Sequence, residues 1–168
     1  VLGIDPGLTR CGYAVVDARG PAAAHGVALG VIRTPAGDEL PHRLARLRTE
    51  IEALLDEYRP GAVAVEQVFF QVNVRTAMSV GQASGIVLAA AAAAGCEVVQ
   101  YTPSQVKDAI AGWGNATKQQ VQKMVQARLG LAAVPESPDA ADAAALALCH
   151  LAVTPLRARV RAATGRHA

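Results

Sequence analysis

Four carboxylates stand where an ordinary core would not put them. Val1-Leu2-Gly3-Ile4-Asp5 and Ala62-Val63-Ala64-Val65-Glu66 are short apolar runs, each ending on an acid. Pro138-Asp139-Ala140-Ala141-Asp142 opens a nearly uncharged, Ala/Leu-rich segment with two more. Buried carboxylates are costly unless a positive group neutralises them, and no nearby run of Lys or Arg can pair all four. A divalent cation can, and acids clustered at the ends of buried elements are the way a Mg2+ site for phosphodiester chemistry is built. Three of the four acids also have a plainer reading. Asp5 precedes Pro6-Gly7 and can be a turn residue. Asp139 and Asp142, three apart, share a helix face and lie in a first turn, where the helix dipole favours acids. Glu66 has no ordinary structural task at the end of a fully apolar strand.

Other chemistries find little support. His25, His42, His150 and His167 have no metal-ligand spacing, and His150 reads as a satisfied, partly buried histidine. Ser79, Ser84, Ser104 and Ser137 lack a nucleophile-elbow setting. The glycines from Gly3 to Gly12 match neither a P-loop nor a dinucleotide fingerprint.

The elements that must position the acids can be read from periodicity. Leu2–Asp5, Cys11–Asp17 and Val27–Thr34 are expected as strands, and their short connections imply antiparallel pairing. Leu40, Leu44, Leu47, Ile51, Leu54 and Tyr58 recur at helical spacing, and Arg59-Pro60-Gly61 stops that helix. Ala62–Val68 reads as a buried strand parallel to the first, reached by a helical crossover. Thr76–Ala94 is a second helix, poor in charge, and Glu97–Tyr101 a fifth strand. Pro103–Ala111 is a short helix with proline at its first position. Thr117 and Gln120 make a capping box for a helix ending at Gly130. A last helix runs from about Pro138 to about Val153. The order predicts an α/β sandwich around a five-stranded mixed sheet. If the first and fourth strands are neighbours, Asp5 and Glu66 meet at the sheet and the last helix brings Asp139 and Asp142 to them.

A chain of 168 residues, 52% hydrophobic, fits one domain with a sizeable core. Aromatics are only 4%, so the core is mainly Ala, Val and Leu. The Ala-rich stretch Ile86–Gly95 is too short to span a bilayer, and no signal peptide is visible. The sequence opens at Val1 inside a strand, which implies an initiator Met and a few residues upstream. Cys11, Cys96 and Cys149 are odd in number and widely spaced, as expected of reduced thiols in a cytoplasmic protein. Net charge is +2; with four of the fourteen acids on metal, ten would face sixteen Lys+Arg, a surface suited to a polyanion. Residues 1–154 are expected to form the domain. Residues 155–168, with Arg157, Arg159, Arg161 and Arg166 and no acid, are expected to be a basic tail that either binds the polyanion or aids solubility.

Phe69 and Phe70 are adjacent and are the chain's two phenylalanines. One projecting beside an acidic site would stack on an unpaired base; otherwise both lie under a loop. Arg75, Lys107, Lys118 and Lys123 are candidates for phosphate contact. Trp113 is either a stacking residue or a loop anchor. One face of the second helix (Ala77, Gly81, Ser84, Gly85, Leu88, Ala92) is small enough for close helix approach, either in a dimer or against its own sheet.

Several runs taken in order resemble the bacterial RuvC-type Holliday junction resolvases. They are Gly3-Ile4-Asp5-Pro6-Gly7, Cys11-Gly12-Tyr13-Ala14-Val15-Val16, Val65-Glu66-Gln67-Val68-Phe69 and Ser137-Pro138-Asp139-Ala140-Ala141-Asp142-Ala143. Gly81-Gln82-Ala83-Ser84-Gly85, Pro103-Ser104-Gln105-Val106-Lys107 and Ala116-Thr117-Lys118-Gln119-Gln120-Val121 extend the likeness, which covers about Val1 to Leu151. The resemblance implies a ribonuclease H-like fold with helices on both faces of the sheet. It implies Asp5, Glu66, Asp139 and Asp142 as catalytic, metal-binding acids. Lys107 and Lys118 would lie near the scissile region, with Lys118 adding charge at the transition state, and Phe69 at the junction centre. Two Mg2+ per site, replaceable by Mn2+, would activate water and stabilise the leaving 3′ oxygen, giving 5′-phosphate and 3′-hydroxyl ends. It also implies four-way junction DNA as substrate and the RuvA–RuvB branch-migration complex as partner; the near two-fold symmetry of such a junction calls for a homodimer, with Gly81, Ser84, Gly85 and Leu88 expected at its interface. Phe70-Gln71-Val72-Asn73 lacks a basic residue found there in some relatives, and Arg75 is the substitute. Rival readings are an actin-type ATPase or sugar kinase, for which the chain is one domain short, a ribonuclease H-like nuclease on another substrate such as an RNA–DNA hybrid, and a catalytically silent junction-binding module.

Overall fold

The computed structural model describes residues 1–18, 23–67 and 74–164, by backbone alone at 74–76 and 155–164. In chain order the elements are β1 (Leu2–Asp5), β2 (Arg10–Ala18), β3 (Ala24–Arg33), α1 (Leu40–Tyr58), β4 (Ala62–Glu66), α2 (Val74–Ala93), β5 (Glu97–Tyr101), α3 (Pro103–Ala111), α4 (Lys118–Leu129) and α5 (Pro138–Thr164). The sheet order is β3-β2-β1-β4-β5. The first three strands pair antiparallel, while β4 joins β1, and β5 joins β4, in parallel. This is the five-stranded mixed sheet that the element order predicts, and its topology fits the ribonuclease H-like fold that the resemblance implies.

Alternation in the strands divides the core in two. Leu2, Ile4, Val15, Val63 and Val65 face α1 and α2, packing with Leu47, Ile51, Val87 and Ala91. Ala14, Val16 and Ala64 face the other way, onto α5, and α3 and α4 cover the far side of α5. Because α5 is enclosed on both sides, every residue from Ala143 to His150 is buried. That explains its lack of a polar face.

Two glycines let α5 lie directly on the sheet. A Cβ at Gly3 would overlap the Ala143 carbonyl oxygen, and one at Gly12 the Asp139 carbonyl oxygen. The close approach holds the start of α5, with its acids, against the ends of β1 and β2. Gly12→Ala is expected to destabilise the protein by about 2–3 kcal/mol through overpacking. Thermal melting would check it, with Gly37→Ala as control, since a Cβ there meets nothing within 4 Å. An unchanged melting temperature in Gly12→Ala would refute the packing argument.

Some boundaries differ from expectation for physical reasons. Strand β4 stops at Glu66 instead of Val68 because its neighbours β1 and β5 also end there. Strand β3 begins at Ala24 and carries a bulge: Val15 pairs with Ala28 and Val16 with Gly26, leaving Val27 out of register and 45% exposed. Helix α5 continues past Val153 to Thr164. The sequence beyond Pro155 is rich in Ala and Arg, both strong helix formers that carry the helix on.

Candidate active site

Pairing of β1 with β4 aligns Ile4 with Val65, so the next residues along, Asp5 and Glu66, come to the same edge of the sheet. Asp5 lies opposite Gly12 across β1–β2, and Gly12 is the residue on which the Asp139 backbone rests. Pro138 opens α5, and the Ala141 N–H donates to the Ser137 carbonyl (3.1 Å). Asp139 and Asp142 follow one turn apart. All four carboxylates are half-buried.

Their electrostatics show that they are close together. Asp5 is pushed up to about 7, first by burial and then by the charges of Glu66, Asp142 and Asp139, with Lys118 opposing. Glu66 is raised as well, by burial and by Asp142, while Lys118 and a hydrogen bond with Asp5 work against the rise. Two cations reach the cluster. Lys118 Nζ donates to Asp142 Oδ2 at 2.6 Å, and that bond holds the Lys118 pKa above its usual value. Arg10 Nε donates to Asp139 Oδ2 at 2.6 Å and its terminal nitrogen to Ser137 Oγ at 3.1 Å.

Local sequence explains both lysines. Thr117 caps α4 in a capping box with Gln120 and sets Lys118 at the first helical position. Thr102 and Gln105 do the same for α3, with Pro103 at its start, and carry Lys107 to the site. Lys107, Lys118, Glu66 and Asp142 border one cleft of about 250 Å3, whose floor includes Val106, Val121 and Leu146. Lys123 is exposed on α4 and does not border that cleft.

A hard divalent cation fits this donor set by charge and by chemistry. Four carboxylates face two paired cations, and the uncompensated excess contributes to the rise of Asp5. The side chains are not already closed round an ion. Among the described residues no three acidic, imidazole or thiol groups converge as a metal site, and Asp139 and Asp142 are engaged with Arg10 and Lys118 instead.

Arg10 is the site residue that sequence reasoning missed. Its only local signal was a cation opening the strand after the Asp5 turn. Phe69 lies outside the described residues, as does the side chain of Arg75. His150 is 4% exposed and its Nδ1 shares a 3.0 Å hydrogen bond with the Tyr101 hydroxyl, as a satisfied core histidine should. Trp113 is 52% exposed, which does not favour a role as loop anchor. Along α2, Gly81, Gly85 and Ala92 are exposed and Leu88 half-buried, but Ser84 is 3% exposed. At about 100° per residue Ser84 rotates onto the flank that packs inside its own protomer.

Comparison with known proteins agrees with this geometry. The family model for crossover junction endodeoxyribonuclease RuvC matches residues 1–150. The chain is 55% identical over 163 residues to the crossover junction endodeoxyribonuclease RuvC of Frankia alni, covering 97% of this chain and 83% of that protein. It is 52% identical to the protein of that name from Parafrankia sp., over 98% of this chain and 92% of the relative. The structure of T. thermophilus RuvC in complex with Holliday junction substrate superposes with a TM-score of 0.89 at 40% identity, covering 93% of this chain and 94% of the other. Sequence, fold and the arrangement of acids therefore place the chain in the RuvC family of crossover junction endodeoxyribonucleases.

Proposed function

We propose that this crossover junction endodeoxyribonuclease resolves four-way DNA junctions by paired, symmetric, metal-dependent nicks. The meeting of Asp5, Glu66, Asp139 and Asp142 beside Lys118 carries the reading. The four acids would hold two divalent ions, Mg2+ by their hard oxygen donors, with Mn2+ able to replace it. When bound, the ions supply charge stabilisation and a nucleophile at neutral pH for an in-line displacement. Lys118, released from Asp142, turns toward the pentavalent phosphate and stabilises its added charge. Lys107 holds the strand's backbone in the adjoining cleft. Phe69 and Arg75 would meet the junction near its centre. The products carry 5′-phosphate and 3′-hydroxyl ends.

A junction with near two-fold symmetry calls for two matched sites, and a C2 homodimer provides them. The outward face of α2, Gly81, Gly85, Leu88 and Ala92, supports such pairing because it is uncharged and lets two helices approach closely. Gly85→Arg adds a side chain where nothing lies within 4 Å in the protomer, so the fold should survive. The expected result by light scattering is a fall from dimer to monomer mass, with paired nicks lost. A wild-type protein that is monomeric at every concentration would exclude the dimer. The setting would be the cytoplasm, where Cys11, Cys96 and Cys149 stay reduced, with RuvA–RuvB supplying branch migration.

The direct test is cleavage of a labelled synthetic four-way junction, linear duplex and RNA–DNA hybrid, with and without Mg2+. Symmetric nicks confined to the junction and dependent on the ion are expected. Preference for the hybrid would keep the acid cluster and replace the substrate.

A further inference from the structure

Arg10 borders a second cleft, of about 360 Å3, together with Thr9, Arg33, Thr34, Pro35 and Arg46. It shares no residue with the Lys107–Lys118 cleft. Three elements build it: the start of β2, the end of β3 and the second turn of α1. Arg10 and Arg33 stand directly opposite each other across the β2–β3 ladder, a pairing of like charges that destabilises a sheet. Arg10 is balanced by Asp139. Arg43 reaches in from α1, donating to Thr34 Oγ1 at 3.0 Å and Thr9 Oγ1 at 2.8 Å. Those hydroxyls hold its guanidinium without neutralising it, and Thr34 is itself anchored by donating to the Leu8 carbonyl.

Among the described residues, Arg33, Arg43 and Arg46 form no ion pair. The nearby acids Asp38, Glu39 and Glu50 are exposed and pair with none of them. Three arginines thus line one cleft, a fourth is held on two of its threonines, and a single carboxylate is paired with the set. Nothing in the fold needs this concentration of positive charge, and the ladder is weakened by it. Planar guanidinium groups that converge on a cleft suit a phosphodiester, whose oxygens accept from several of them at once. Because Arg10 also touches Asp139, the cleft adjoins the acid cluster.

We propose that this arginine cleft holds a backbone phosphate of the nucleic-acid strand that crosses the acid cluster, as a subsite separate from Lys107 and Lys118. The proposal rests on the nuclease reading above and extends its binding surface to α1 and the β2–β3 end. A free small anion would meet the same guanidinium groups, so the experiment must separate the two sources.

Binding of a labelled four-way junction is measured in EDTA across a salt series for wild type, Arg33→Gln/Arg46→Gln and Arg33→Lys/Arg46→Lys. Arg33 and Arg46 are exposed and outside the catalytic set, and losing the Arg33 charge relieves its repulsion with Arg10, so the melting temperature of the glutamine pair should not fall, and this serves as the folding control. The glutamine pair is expected to bind about 10- to 100-fold more weakly at physiological salt. Its plot of log affinity against log salt should be shallower by about 2, one for each lost contact. The lysine pair should retain most of the slope. An unchanged affinity and slope in the glutamine pair would overturn the proposal. So would binding of inorganic phosphate that the glutamine pair loses while its salt slope stays at the wild-type value, since that marks a small-anion site. Failure of the junction reading shows separately, as wild-type protein that binds the junction no better than linear duplex. The slopes are then compared on the duplex, where an unchanged value again overturns the cleft.

Discussion

Glu66→Gln should abolish junction cleavage and leave junction binding intact or slightly tighter. Glu66 sits at the end of β4 beside Asp5, and its carboxylate is raised by burial and by Asp142. The amide keeps the shape and removes one charge, so the fold loses a repulsion and no packing. Catalysis loses an anionic oxygen ligand that a neutral carbonyl replaces poorly for a hard cation. A fall in kcat of roughly 10^3-fold or more is expected, the scale on which removing one preorganised electrostatic contact acts at a reacting centre. Binding should move the other way, because a negative charge facing phosphate disappears; at a surface-like dielectric this is worth about 1 kcal/mol, several-fold in affinity. Single-turnover cleavage and EDTA-quenched binding on the same junction separate the two effects. Residual cleavage within tenfold of wild type would remove Glu66 from the catalytic set. Equal losses of binding and cleavage would make it a structural residue.

The acids at strand ends were legible because they broke a local rule. An apolar run that finishes on Glu66 has no reason in strand propensity, and a helical crossover before β4 implies the parallel pairing that aligns it with Asp5. The capping boxes at Thr102 and Thr117 were legible for the same kind of reason, since their signals lie within four residues of each other. What could not be read was long-range and geometric. Gly3 and Gly12 look like ordinary strand glycines until α5 is seen lying on them. Arg10 finds Asp139 across 129 residues of sequence, and no periodicity records that. The opposition of Arg10 and Arg33 depends on the β2–β3 register, which the bulge at Val27 shifts by one residue. The burial of Ser84 was not legible, because a helix face drawn from small residues alone ignores rotation. Residue size showed which positions permit close approach; burial showed which of them point outward.

Asp5→Asn is expected to stabilise the metal-free protein while destroying its response to Mg2+. Asp5 titrates at about 7 in the fold against 3.8 for an ordinary aspartate. Between those values the folded state keeps a proton that the unfolded state has lost. Protons therefore favour folding through this window, and stability falls as pH rises from about 4 to 7, then levels off. The charge on Asp5 costs up to about 4 kcal/mol above pH 7, at 1.36 kcal/mol per pKa unit, an upper figure because Glu66, raised as well, is coupled to it. The amide removes that cost, so at pH 8 in EDTA the variant should melt roughly 5–10 °C higher than wild type. Lowering the pH from 8 to 6 should raise the wild-type melting temperature and barely move the variant. Mg2+ should do the reverse, raising the wild type by mass action on the folded state and leaving the variant nearly unchanged. These signs belong together: a carboxylate strained by three others is poorly placed for stability and well placed for a cation. A variant that is less stable than wild type in EDTA at pH 8 would mean that Asp5 is held by an ordinary turn rather than by the cluster. Equal stabilisation of both proteins by Mg2+ would place the ion elsewhere.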